Sequence, residues 1–247
     1  MTGASGFLGS SLVRQLIEQG IFVRALLRPG SSLGALQGLA RDRYEVVRGD
    51  IQIEHEVYRA LAGCDRMYHV AAVYRMWAKS PEEILAPAIE GTQSCLEAGR
   101  KRGISKIVVT SSVAAVGAAP RAEPMDESFA FNLTDSETYI VAKWKAEQLA
   151  LKYASEGLPV VVVNPTGIFG PGDWKPTPSG ASVLQYLNWK LPIRFPSSAG
   201  GINVVDVDDV AAGHIAAMAR GKIGERYILG GENLSFEQLF TTLSQIT

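Results

Sequence analysis

Only two cysteines, Cys64 and Cys95, occur in 247 residues, and neither has the spacing of a metal-ligand set. A disulfide framework needs more than one candidate pair, so both read as reduced core residues rather than as staples. Long apolar runs are missing too. None reaches the roughly 18 residues that cross a bilayer, and the amino terminus shows no charged stretch followed by an apolar one. The expectation is a soluble, cytoplasmic protein with no membrane partner. Charge of one sign is equally scarce. The 24 basic and 25 acidic residues leave a net charge of −1 without a long basic run, so nucleic acid finds no electrostatic footprint. Repeats and low-complexity linkers are absent as well. What the chain has is apolar material: 47% hydrophobic against 20% charged residues, ample for a buried core and too apolar for disorder.

That material is organised as alternating strands and helices, the pattern of a parallel sheet covered on both faces. Short apolar runs predict strands over 21–27, 44–47, 66–72, 104–110, 159–163, 203–205 and 226–229. Helical periodicity predicts helices over 7–19, 54–61, 81–102, 137–155, 183–189, 207–219 and 236–246, with Ser235 and the following Glu237 and Gln238 as a helix start. Residues 117–135 and 169–181, rich in Pro or Gly, read as surface loops near a site. The fold class is α/β, a Rossmann-type doubly wound sheet. Residues 1–165 form its dinucleotide-binding part, and 166–247 a partial substrate-binding region interleaved with the last sheet elements. In such a fold the first glycine turn follows a strand, yet only Met1 precedes Thr2 and Gly3. The first strand is therefore expected to be missing through truncation.

The turn itself, TGASGFLG, sets Gly3, Ser5, Gly6, Phe7, Leu8 and Gly9 at a helix start. Glycines let a backbone approach a pyrophosphate, and the free N–H groups of a helix amino terminus favour anions. At the end of the next predicted strand, ALLRPGSS carries Arg28 and no acid. A carboxylate there would serve the ribose hydroxyls of NAD(H), whereas a guanidinium fits a 2′-phosphate bidentately. NADP(H) is the expected cofactor, with NAD(H) second. Asp50 and Ile51, in VVRGDI, lie where a carboxylate can accept from an adenine amino group, unless Asp50 serves the helix that follows. Val70, Ala71 and Ala72 are small enough for a strand end to pass beneath a cofactor or simply to pack a core.

Ser112 closes KIVVTSS, and Tyr139 and Lys143 follow in YIVAK. Residues i and i+4 share a helix face, so an ammonium can lie beside the phenol and draw an acid of pKa about 10 toward working pH. Lys145 falls on another face and reads as solvated. His69 and His214 read as structural. Tyr74, Met76, Trp77 and Trp174, on predicted loops, are candidates for an apolar pocket or for ordinary core.

TGASGFLG, GDI, HVAA, TSS, YIVAK and NPTGIFGPGD, in that order, resemble the extended short-chain dehydrogenase/reductases, that is, the NAD-dependent epimerase/dehydratase family. The resemblance covers essentially the whole chain. It implies catalytic roles for Ser112, Tyr139 and Lys143, with the last two also touching cofactor, and it sets Pro165, Thr166, Gly167 and Ile168 against a nicotinamide. It implies no metal. Within the family, PAIEGTQ is similar to dihydroflavonol and cinnamoyl-CoA reductases, where nucleotide-sugar epimerases usually show Asn at the position of Ala88. Epimerases also tend to carry a diphosphate-binding Arg where Ile202 stands. HVAAVYRMW, DWKPTPSG and GERYILGGENL, in contrast, resemble hopanoid-associated sugar epimerases. The resemblance thus implies a reductase of a small ketone or aldehyde, with a sugar epimerase or dehydratase as the alternative and a non-catalytic dinucleotide-binding module as a third. Pairing of two copies through helices such as 81–102 and 137–155 is common in the family.

Overall fold

The structure, a computed structural model, describes residues 1–72, 80–119, 123–189 and 200–246. Tyr74, Met76 and Trp77 lie outside the described residues. The elements, in chain order, are α1 (Phe7–Glu18), β1 (Val23–Leu27), β2 (Tyr44–Arg48), α2 (Glu54–Ala60), β3 (Arg66–His69), α3 (Glu82–Arg102), β4 (Lys106–Thr110), α4 (Thr138–Ser155), β5 (Val160–Pro165), β6 (Gly167–Phe169), α5 (Pro178–Trp189), β7 (Gly201–Asp206), α6 (Val207–Arg220), β8 (Arg226–Leu229), β9 (Glu232–Ser235) and α7 (Phe236–Ile246).

The main sheet is parallel throughout. One side pairs β1 with β2, and the other runs β3-β4-β5-β8. Thr2 joins the two by bridges to Leu26 and to His69. Its N–H donates to the Tyr68 carbonyl at 3.0 Å, Leu26 N donates to the Met1 carbonyl at 2.9 Å, and the Met1 amino group donates to the Arg24 carbonyl at 2.7 Å. Met1 and Thr2 therefore occupy the place of a central strand for two residues. Beyond them no described strand lies between β1 and β3.

Alternation along β5 explains the two cores. Val161 and Val163 point into one cluster with Leu12, Val13 and Leu16 of α1 and Val210 and Ala211 of α6. Val160 and Val162 point into the other, with Cys95 and Leu96 of α3 and Ala150 and Tyr153 of α4. A strand buried on both faces needs such a continuous apolar run. The helices carry their own end signals. α3 opens on Glu82 and Glu83 and closes on Arg100, Lys101 and Arg102 before Gly103 at φ 65°, an arrangement that suits both the macrodipole and a left-handed cap. Ser235 and Gln238 cap α7 reciprocally: Gln238 N donates to Ser235 Oγ at 3.1 Å, and Ser235 N donates to Gln238 Oε1 at 2.7 Å. That is a capping box.

A second sheet was not foreseen. β6 pairs parallel with β7, which pairs antiparallel with β9. α5 also begins at Pro178, inside the segment expected to be loop, because proline is tolerated in a first helical turn. Cys64 is half-buried rather than a core residue, while Cys95 is buried and its thiol is pushed up to about 12 by desolvation.

One buried ion pair ties the sheet to α4. Arg226 Nη1 of β8 meets Glu147 Oε1 at 2.8 Å, with the Glu147 side chain fully excluded from solvent. Breaking such a pair from one side strands a charge. Arg226→Ala is expected to lower unfolding free energy by about 3–5 kcal/mol, read by denaturant titration.

Candidate active site

The chain leaves Thr2 for β1 and β2 on one side and returns to β3 on the other, so the strand order reverses beside Thr2. Ligands of open α/β sheets bind at the carboxyl ends of strands at such a switch point. A cleft opens there, lined by His69 at the end of β3 and Ala71 just beyond it, Thr110 and Ser111 at the end of β4, and Tyr139 and Lys143 of α4.

Lys143 is the chemically distinctive group. It is buried, and its ammonium donates to the carbonyls of Thr110 at 3.3 Å and Ser111 at 3.4 Å. Desolvation lowers its pKa to about 8, with the nearby Glu147 charge opposing that fall. Tyr139 is buried one turn earlier on the same face. Lys145 is exposed, as its helical position predicts.

Ser112 lies where β4 gives way to a short helical turn. Its Oγ accepts from Ala114 N at 3.2 Å and retains a proton to donate, while its carbonyl accepts from Asn164 Nδ2 at 2.9 Å. Ser112 is not among the residues lining the cleft; its neighbour Ser111 is, and the buried Ser111 Oγ has no hydrogen-bond partner among the described residues. A buried orphan hydroxyl is costly unless a ligand or water completes it.

The glycine turn is built for close approach. Gly6 N donates to the Gly3 carbonyl at 3.0 Å, and α1 starts immediately, with no acidic side chain in its first turn. Gly3 sits at φ 72°, and a Cβ there would lie 2.6 Å from Ala71 N. The amino end of α1 therefore presents unshielded N–H donors, formed by the turn that holds Gly3, Ser5, Gly6, Phe7, Leu8 and Gly9.

The outlying candidates fall around the same edge. Arg28 is exposed at the end of β1, and its carbonyl accepts from Arg48 Nη1 at 3.0 Å. Asp50 Oδ1 accepts from Gln52 N at 3.0 Å, closing a local turn, while α2 is preceded by Ile53 without a side-chain cap. Asp50 thus does not cap α2. Ile51 packs near Gly91 of α3. Val70 and Ala71 are half-buried and Ala72 exposed. Pro165 ends β5, Thr166 Oγ1 donates to Asn203 Oδ1 at 2.8 Å, and Gly167 and Ile168 enter β6. Trp174 is 80% exposed and does not line the cavity.

Both buried histidines are locked neutral. Thr2 Oγ1 accepts from Ala71 N and so donates to His69 Nδ1 at 2.9 Å; Thr92 Oγ1 donates to the Ala88 carbonyl and receives His69 Nε2–H at 3.4 Å. Burial, followed by the Lys143 charge and the terminal amino group, lowers His69 to about 3. His214 donates from Nδ1 to the Val210 carbonyl and accepts from Thr110 at Nε2, and burial lowers it to about 4. Neither accepts a proton near neutrality.

Sequence patterns did not single out Ser111, Glu147, Asn164 or Arg226. Two signals were available. Glu147 repeats the four-residue step from Lys143, and Asn164 interrupts a valine run that is otherwise wholly buried.

Among the described residues no cluster of His, Cys, Asp or Glu could hold a metal ion, and no helix is long and apolar enough to cross a membrane. The profile of the NAD dependent epimerase/dehydratase family matches residues 1–230. A Synechocystis sp. protein provisionally named dihydroflavonol 4-reductase is 41% identical over 252 residues, covering all of this chain and 71% of the relative. Sterol demethylase protein B of Methylococcus capsulatus is 32% identical over 247 residues, covering all of this chain and 74% of its own length. The crystal structure of gox2253 superposes with a TM-score of 0.92 at 40% identity, over 99% of this chain and 73% of that one.

Proposed function

The chain belongs to the NAD dependent epimerase/dehydratase family, and from that premise we propose that it is an NADP(H)-preferring reductase of a small ketone or aldehyde, acting through Ser112, Tyr139 and Lys143. Membership makes it an enzyme of CH–OH and carbonyl chemistry with a nicotinamide cofactor. The observation that carries the finer reading is the buried Lys143 ammonium, one helical turn from Tyr139 in a cavity at the switch point.

The residues present fit such a cofactor. The Gly3–Gly9 turn and the amino end of α1 would hold the pyrophosphate. Asp50 and Ile51 would meet the adenine, and Val70, Ala71 and Ala72 would let the strand end pass beneath. Lys143 and the orphaned Ser111 hydroxyl would meet ribose hydroxyls, and Pro165, Thr166, Gly167 and Ile168 would flank the nicotinamide. When bound, the cofactor supplies hydride to the carbonyl carbon. The chain's own residues handle the proton. Ser112 donates a hydrogen bond to the carbonyl oxygen, and Tyr139 gives its phenolic proton to that oxygen as it becomes an alcohol. The Lys143 charge stabilises the phenolate left behind.

Reduction is favoured over sugar epimerisation by what stands on β7. Ile202, whose Cδ1 would lie 2.9 Å from a Cβ on Gly167, puts an apolar side chain at the position where, by resemblance, sugar epimerases tend to carry the cation that a diphosphate needs. Incubation with NADPH and a panel of aldehydes, ketones and nucleotide sugars tests the proposal. Loss of reduced cofactor with alcohol formed is the expected result; an epimerised sugar with no net cofactor change would replace it with the alternative.

Cofactor preference has its own test. A bidentate guanidinium–phosphate contact is worth about 1.5–3 kcal/mol, or roughly 10- to 100-fold in affinity. Arg28→Ala should weaken NADP(H) by that factor and leave NAD(H) unchanged in a fluorescence titration. Equal affinities of the unaltered protein for the two cofactors would end the claim.

A further inference from the structure

We infer that Glu147, held by Arg226 and Asn164, is a positioning residue that keeps Lys143 charged and couples its helix to the Ser112 segment and to the loop before α4. The inference rests on the proposed reductase reading and deepens it. Glu147 follows Lys143 by one turn on α4 and lines the same cavity. Its carboxylate is wholly buried and receives Arg226 Nη1 at 2.8 Å and Asn164 Nδ2 at 2.5 Å. A buried carboxylate with a single cation would serve stability alone. Here both partners reach further.

Asn164, near the carboxyl end of β5, also donates to the Ser112 carbonyl at 2.9 Å. Arg226 donates from Nε to the Glu127 carbonyl at 2.9 Å and from Nη2 to the Phe129 carbonyl at 2.7 Å, and Ile228 N donates to Glu127 Oε1 at 2.8 Å. The same loop stacks Phe131 on Trp144, the residue after Lys143, with ring centroids 4.8 Å apart. One carboxylate therefore sits at the junction of the helix bearing Tyr139 and Lys143, the strand end next to Ser112, and the loop before α4.

Its charge matters because the groups facing Lys143 are otherwise unhelpful. Desolvation disfavours the ammonium. Among the described residues that line the cleft with it, His69 of β3 is neutral, Tyr139 on α4 must shed its proton in the reaction, and Glu147, paired with Arg226 of β8, is the acidic one. Without it the ammonium loses its proton at lower pH, and the support of the phenolate goes with it.

The test reads Lys143 directly, by NMR of its side-chain nitrogen across pH in the full chain without substrate. Glu147→Gln should move the titration midpoint down by roughly one pH unit. The double variant Glu147→Gln, Arg226→Gln leaves neither buried charge alone and should fold even if the single one does not. Its midpoint should fall between those of the single variant and the unaltered protein. The alkaline limb of kcat/KM should follow the same order. A midpoint unchanged in the double variant, or in both, overturns the inference and reduces Glu147 to a structural ion pair. Failure of the reductase reading shows itself elsewhere, as turnover that survives Tyr139→Phe or is absent from the unaltered protein, while the Lys143 midpoint remains readable.

Discussion

Tyr139→Phe is expected to lower kcat for carbonyl reduction by about 10²- to 10⁴-fold, the span that a positioned general acid contributes, while cofactor affinity stays within a few-fold. The two measurements belong together. The substitution removes one hydroxyl from a buried side chain and leaves the ring that packs in α4. The cradle of glycines is built from backbone, and the Lys143 ammonium keeps the Thr110 and Ser111 carbonyls as acceptors in the variant. A phenylalanine variant that binds NADPH normally and turns over slowly assigns the proton to Tyr139. Undiminished turnover would remove the phenol from the reaction, because neither buried histidine can replace it: burial pushes His69 down to about 3 and His214 down to about 4, which leaves both neutral. Ser112→Ala should be milder, since it takes away a hydrogen bond to the oxygen but not the proton itself.

Why Tyr139 and Lys143 were legible in the sequence, and Glu147 was not, comes down to what each residue type announces. A tyrosine and lysine one turn apart have a chemical reason to be neighbours that can be stated without a structure. A glutamate one turn further on reads as solvated until β8 and β5 are seen to bring Arg226 and Asn164 to it. The same division runs through the fold. The strands of the main sheet announce themselves as apolar runs, such as the valines of β5, because both of their faces are buried. β6 is three residues long beside Gly and Pro, and β9 reads Glu-Asn-Leu-Ser; neither has an intrinsic strand pattern, and both exist because β7 offers them an edge. Ser111 and Ser112 are indistinguishable as letters. Only the direction of the chain at the end of β4 sets one against the cleft and turns the other's hydroxyl to the amide of Ala114.

The glycine turn carries the second large effect, and its geometry says which glycine matters most. A Cβ on Gly9 would lie 2.0 Å from the Gly3 carbonyl oxygen and 2.7 Å from its carbon, a collision with backbone that no rotamer relieves. One on Gly6 would stand 3.3 Å from the same oxygen, a contact that a shift of a few tenths of an ångström accommodates. Gly9→Ala must therefore push α1 away from the turn. Since α1 packs on α6 through Leu12 and Leu16, and its amino end is the anion site, stability and cofactor binding fall together. Overpacking of this kind costs about 1–3 kcal/mol, and displacement of the N–H donors should reduce NADP(H) affinity by roughly 10- to 100-fold. Gly6→Ala should cost well under half as much in stability, taken as a denaturation midpoint beside the fluorescence titration of the Gly9 variant. If the order reverses, the close approach of helix to turn is not what the third glycine is for, and the pyrophosphate cradle has to be sought elsewhere on the sheet edge.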